Sequence, residues 1–145
     1  DDDTVAPDYV RRIHDAILQA RRTGRLPDVI CFGQRATLQP HGVTHECAYS
    51  LVHWREREPD ARRQLAPAHD AAGGALPHTL NWTGPPAHTM VWRRSILDGL
   101  RFPEKQFGED VDWVDAACAK AQSEICLNGQ PLYFYNFNSE TSATR

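Results

Sequence analysis

The sequence predicts a mixed α/β domain whose sheet is flanked by helices. Three observations carry this. Apolar residues recur at helical spacing in two segments, one opening with Pro7 and one with Gly108. Short apolar or loosely alternating runs between and after them read as strands. The signals follow the order α, β, β, irregular, β, α, β, β, without the regular alternation of a doubly wound domain. The 145 residues suffice for one domain with a real core, and we read residues 1–145 as a single domain.

In "APDYVRRIHDAILQARRTG", Val10, Ile13, Ile17 and Leu18 fall on one helical face. Pro7 suits a first helical turn, Arg21 and Arg22 suit the negative end of the dipole, and Gly24 suits the C′ stop. "DVICFGQRATLQ" reads as a strand around Val29 to Phe32, and "GVTHECAYSLVHW" as a second one. Residues 55–79 turn from Arg/Glu-rich to Ala/Gly/Pro-rich, which reads as a flap with one helical turn around Asp60 to Leu65. "TMVWRRSILDGL" reads as a short strand entering a helix. "FPEKQFGEDVDWVDAACAKAQ" is a loop and a helix, and "EICLNGQPLYFYNF" is two strands about a turn at Asn128-Gly129.

Composition excludes several classes. A formal net charge of −3 supplies no footprint for nucleic acid or an anionic bilayer. No apolar run approaches the length of a transmembrane helix, and the acidic start has neither the n-region nor the h-region of a signal peptide. Cys31, Cys47, Cys118 and Cys126 form no C-x-x-C pair, which argues against zinc. They read as small buried hydrophobes in a reducing, cytoplasmic setting. His41 and His45 have a metal-ligand spacing for a helix, but Pro40 and Gly42 argue against a helix there.

The segment "FGEDVDWVDAACAKA" gathers Glu109, Asp110, Asp112 and Asp115. Val111, Val114, Ala117, Cys118 and Ala121 make an apolar face, with Asp112 and Asp115 off it. On the plain reading, Glu109 and Asp110 cap the helix start and the other two are solvated. Likewise, Asp1-Asp2-Asp3 alone is an exposed acidic terminus.

Taken in order, these pieces resemble a known family. Asp1 to Asp3 with Pro7 are followed by Arg93-Arg94, Arg101-Phe102-Pro103, Gly108-Glu109-Asp110 and the aromatic run Pro131 to Tyr135. The set is similar to the second half of a family 2 glycosyltransferase, beginning at the D-x-D motif of a GT-A fold, and spans nearly the whole chain except residues 40–80. The resemblance implies an inverting transfer of a sugar from a nucleotide-diphosphate sugar donor to a glycan, a lipid-linked molecule or another hydroxyl acceptor. It implies Mg²⁺ or Mn²⁺ held by acids among Asp1, Asp2 and Asp3. If the motif has four residues the chain begins inside it and Asp2 is the second metal-facing acid; if it is D-x-D, Asp1 and Asp3 are the pair.

The resemblance makes Asp110 the general base and Glu109 an orienting or acceptor-binding group. It puts His88 and Arg93 on the acceptor side, where Trp82 could stack on a sugar ring. It also implies that the nucleotide-binding half is missing from this chain, so that the chain alone is inactive. Peripheral membrane contact is left open. The rival expectation is a non-catalytic fragment that binds glycan or serves as an interaction module.

Overall fold

The computed structural model describes residues 3–39, 42–56, 66–69, 75–105 and 108–138. They form an α/β domain with a mixed, open sheet flanked by helices. The elements are β1 (Thr4–Val5), α1 (Tyr9–Arg22), β2 (Val29–Gln39), β3 (Val43–Tyr49), α2 (Leu51–Arg55), β4 (Ala66–His69), β5 (Ala75–Gly84), β6 (Val91–Trp92), a 3₁₀ turn (Arg94–Leu97), α3 (Glu109–Lys120) and β7 (Glu124–Asn138). The sheet order is β1-β7-β2-β3-β5-β4, with β6 beside the start of β2. Strand β2 runs parallel to β7 and antiparallel to β3, and β3 runs parallel to β5. No helix among the described residues is long and apolar enough to cross a membrane.

Val29 to Phe32 are fully buried, as an uninterrupted apolar run in a doubly covered strand should be. Ile30 joins Ile13 and Ala16 of α1 in one cluster. Val29 and Cys31 join Trp113, Val114, Ala117 and Cys118 of α3 in the other. Alternation along β2 thus sends successive side chains to helices on two faces.

The buried face of α1 is Ile13, Ala16 and Ala20, whereas Val10 is 75% exposed and Leu18 37%. The sheet accepts a narrow stripe of small side chains, so a face counted from large residues alone is rotated. Burying Ile13 stabilises by about 1.5–3 kcal/mol. Pro7 stands just before the N-cap Asp8. At the other end, Arg25 N–H bonds Ala20 O at 3.2 Å and Gly24 N–H bonds Arg21 O at 3.1 Å. This is a Schellman closure, with Gly24 left-handed at φ 74°. A Cβ there meets no atom within 4 Å. Gly24→Ala is therefore expected to cost about 1 kcal/mol, purely from backbone conformation, read as a lowered urea midpoint.

Three expectations are corrected. Leu51–Arg55 is helical, not strand, because Ser50 turns the chain and its hydroxyl accepts from Val52 N–H at 3.0 Å. Within 55–79, the described stretches 66–69 and 75–79 are strand, while 57–65, holding the expected helical turn, and 70–74 lie outside the described residues. Strand β5 is held by parallel pairing from Thr44↔Thr79 to Tyr49↔Gly84, and β4 adds to it as an edge strand. An edge tolerates a proline such as Pro67, so composition misleads there.

The third correction is the hairpin at Asn128-Gly129. Residues on both sides of it pair parallel with β2, from Val29↔Glu124 to Gln39↔Asn138, so the chain does not reverse. The ladder instead slips between Phe32↔Leu127 and Gly33↔Pro131. The Asn128 amide substitutes for a backbone unit across the slip. Its Nδ2–H donates to Tyr49 O at 2.9 Å and its Oδ1 accepts from Tyr49 N–H at 3.4 Å.

Candidate functional site

The turn before β6 is fixed from both ends. Pro86 is fully buried, and Met90 N–H bonds Ala87 O at 3.1 Å. The buried Met90 sulfur accepts from Phe32 N–H at 3.4 Å, tying the turn to β2. Trp92 donates its indole N–H to Ala87 O at 3.2 Å and meets Trp113 edge-on, ring centroids 5.8 Å apart. Phe102 stacks on the other side of this pair, 5.1 Å from Trp113. These aromatic contacts hold the loop before α3 and the body of α3 against the turn.

Helix α3 starts at Glu109, as expected, but no side chain caps it. Gly108 occupies the N-cap with a left-handed φ of 72°, which favours glycine. The expected inward Val111 is 49% exposed, and Trp113 is buried in its place. Asp112 pairs with Lys105, and Asp115 accepts from the Trp54 indole N–H at 3.3 Å. Asp110 points at the turn: its Oδ2 lies 3.5 Å from His88 Nδ1, and both side chains are 44% exposed. Glu109 is half-buried in the same helical turn. Beside His88, Thr89 Oγ1 is buried without a hydrogen-bond partner. Two of the expected residues, Asp110 and His88, therefore meet in space from opposite ends of a 22-residue separation (110 − 88).

Of the other expected residues, Asp3 and Arg93 bond to partners elsewhere in the fold. Asp1 and Asp2 lie outside the described residues. Asp3 is tied to β7, accepting from Tyr133 OH at 2.7 Å and from Asn136 N–H at 3.1 Å. Burial and the Asp3 charge push the Tyr133 phenol up from its usual range. Each Asp3 oxygen keeps a second lone pair, so it can still face a hard cation. Trp82 lies on β5 in register with Cys47. His45 is on β3, the strand expected from its segment's alternation and not the helix that Pro40 and Gly42 argued against.

Arg93, expected to meet acceptor, instead pairs with the buried Asp28. Asp28 Oδ2 also accepts from Gln122 N–H (2.8 Å), Ser123 N–H (3.0 Å) and the Ser123 hydroxyl (3.1 Å). Burial opposes ionisation of Asp28, but these donors and the guanidinium outweigh it and hold the carboxyl below its usual range. Arg93 is thus spent on joining β6 to β2 and to the α3–β7 connection. An open groove between α1 and β7, lined among others by Arg12, Asp15, Gln19 and Gln122, contains none of the expected site residues.

A second polar cluster escaped the sequence reading. Cys31 and Cys126 are register partners on β2 and β7, and Glu124 shares their face. Cys31 Sγ lies 3.6 Å from Glu124 Oε2, which also accepts from Leu51 N–H at 2.7 Å; Oε1 accepts from Ser50 OH at 2.8 Å. The contact with Cys126, burial and the Glu124 charge push the Cys31 thiol up, while Cys126, receiving the Cys31 hydrogen bond, is lowered. Burial opposes ionisation of Glu124, yet the Leu51 and Ser50 donors keep its carboxyl low. Cys126 is exposed, against the expectation of four buried cysteines, and all four are free. A partner 95 positions away (126 − 31) leaves no spacing signal; the alternation of Glu124 and Cys126 on one strand is the only trace in the sequence.

No protein-family model matches this chain, and neither a curated protein nor a solved structure comes out as similar to it.

Proposed function

We propose that this chain is the acceptor-side half of a metal-dependent, inverting glycosyltransferase of GT-A type. The observation that carries the reading is Asp110, uncommitted to capping, facing His88 across 3.5 Å at the start of α3. A half-exposed carboxylate on a fixed helix start can take the proton of an acceptor hydroxyl as its oxygen attacks the anomeric carbon. His88 would orient that carboxylate or contact the acceptor, and Glu109, the preceding residue of the helix start, would orient or bind acceptor. One base suffices for a single inverting displacement, whereas retention by a double displacement needs a second, nucleophilic carboxylate. Asp1 to Asp3 would hold Mg²⁺ or Mn²⁺, which neutralises the departing diphosphate. In this proposal the base and ribose of the donor are held by chain outside these residues.

The test is a screen of nucleotide-diphosphate sugars with hydroxyl acceptors on the protein that carries this chain with its nucleotide-binding half. Transfer with inverted anomeric configuration, lost with chelator and restored by Mn²⁺, is the expected result. Absence of transfer or donor hydrolysis across the common donors overturns it.

One observation favours the non-catalytic reading. Asp3 and Arg93, both assigned to chemistry by the resemblance, serve as ties within the fold. Glycan binding by this chain with no donor turnover would support that alternative.

A further inference from the structure

We propose that Cys31, Glu124 and Cys126 form a binding site for one Zn²⁺ ion, with its fourth position open to solvent. The two sulfurs and a Glu124 carboxylate oxygen lie within 4.8 Å of one another. Zinc bonds of about 2.3 Å to sulfur and about 2.1 Å to oxygen separate tetrahedral ligands by roughly 3.5–3.8 Å. The 3.6 Å between Cys31 Sγ and Glu124 Oε2 already has that spacing. Small side-chain rotations close the rest.

The scaffold is suited to holding the ligands. Cys31 and Cys126 are fixed opposite each other by the β2–β7 ladder, and Cys31 is wholly buried. Glu124 is oriented by Leu51 N–H and Ser50 OH, the kind of outer support that fixes ligand carboxylates. Charge points the same way. Among the described residues no Lys, Arg or His pairs with Glu124, although it is only partly exposed and sits against two thiols.

Donor chemistry selects the ion. Two thiolates and one carboxylate favour zinc over Mg²⁺ or Mn²⁺, which take all-oxygen sets. The ion enters past the exposed Cys126 and keeps water as its fourth ligand. Binding changes no oxidation state: the two thiols release their protons to solvent as the Zn–S bonds form. The site is separate from Asp110 and stands whether or not the chain transfers sugars.

The test is titration of the reduced 145-residue chain with Cd²⁺ as a spectroscopic probe, followed by Zn²⁺ competition. We expect a thiolate-to-cadmium absorption band that saturates at one equivalent, with roughly two protons released per ion. Cys126→Ser and Glu124→Gln should each weaken binding at least about tenfold, with Cys47→Ser unchanged. If a variant fails to fold, wild-type alkylation decides: Zn²⁺ should protect Cys126 from iodoacetamide. No saturable binding, unchanged affinity in Cys126→Ser, or alkylation of Cys126 at equal rates with and without Zn²⁺ overturns the site.

Discussion

Asp110→Asn is expected, on the proposed glycosyl transfer, to lower kcat by roughly 10²–10⁴, the contribution of a positioned general base. That corresponds to about 2.7–5.5 kcal/mol of transition-state stabilisation. The substitution separates two roles of one side chain. Asn is nearly isosteric and Asp110 makes no capping bond, so the fold should be preserved at a cost of no more than about 0.3–1 kcal/mol of lost charge–dipole interaction. Removing the carboxylate deletes only the proton acceptor that faces His88. Donor and metal binding should stay near normal, since neither uses this group in the proposal. Normal turnover by a folded Asp110→Asn variant, with its circular dichroism unchanged, would falsify the catalytic assignment.

Asp28→Asn should destabilise the fold by about 2–3 kcal/mol, read from urea unfolding, because it removes the charge of a buried carboxylate that several donors and the partly exposed Arg93 guanidinium face. Asp28 is 3% exposed, and its carboxylate joins Arg93 to the Gln122 and Ser123 amides. Its backbone carbonyl adds a bond from Arg93 N–H at 2.8 Å, so the start of β2, the end of β6 and the entry to β7 meet at one residue. Asn presents an amide N–H₂ to groups that are themselves donors. The carboxyl titrates lower in the folded than in the unfolded chain. Its contribution is therefore complete above the unfolded value of about 3.9 and drains away as pH falls through the folded one. The variant should lose that part of the acid-side slope. A shift below about 1 kcal/mol, as expected for a surface acid such as Asp15, would show that the network carries little stability.

Legibility of the sequence varied with how local the determining physics is. Helices α1 and α3 and the buried run of β2 could be read because periodicity, a Gly24 stop and an acidic first turn act within a few residues. The misreadings share one cause. Strand at 66–69 and 75–79 exists because a sheet edge was free to accept it, and Pro67 costs nothing there. The Asn128-Gly129 signal is the usual one for a reversal, but Tyr49 at the end of β3 offered the Asn128 amide a backbone partner, and the chain bulged and continued. Leu51–Arg55 became helix because Ser50 and Glu124 meet its first turn.

The site divides along the same line. The acids of the Gly108-Glu109-Asp110 start could be singled out by type and position, and the helix they open begins where periodicity said it would. That Asp110 faces His88, that Arg93 turns inward to Asp28, and that Asp3 closes on Tyr133 were decided only by tertiary structure. The Cys31–Glu124–Cys126 cluster is the extreme case, since its parts become neighbours only through the parallel register of β2 and β7. By itself the sequence determined which residues could do chemistry and which segments would be helix or buried strand, because side-chain type and short-range periodicity are local properties. Which of those residues share a site was left to strand register and to competition for buried hydrogen-bond partners, and those are set only when distant segments pack together.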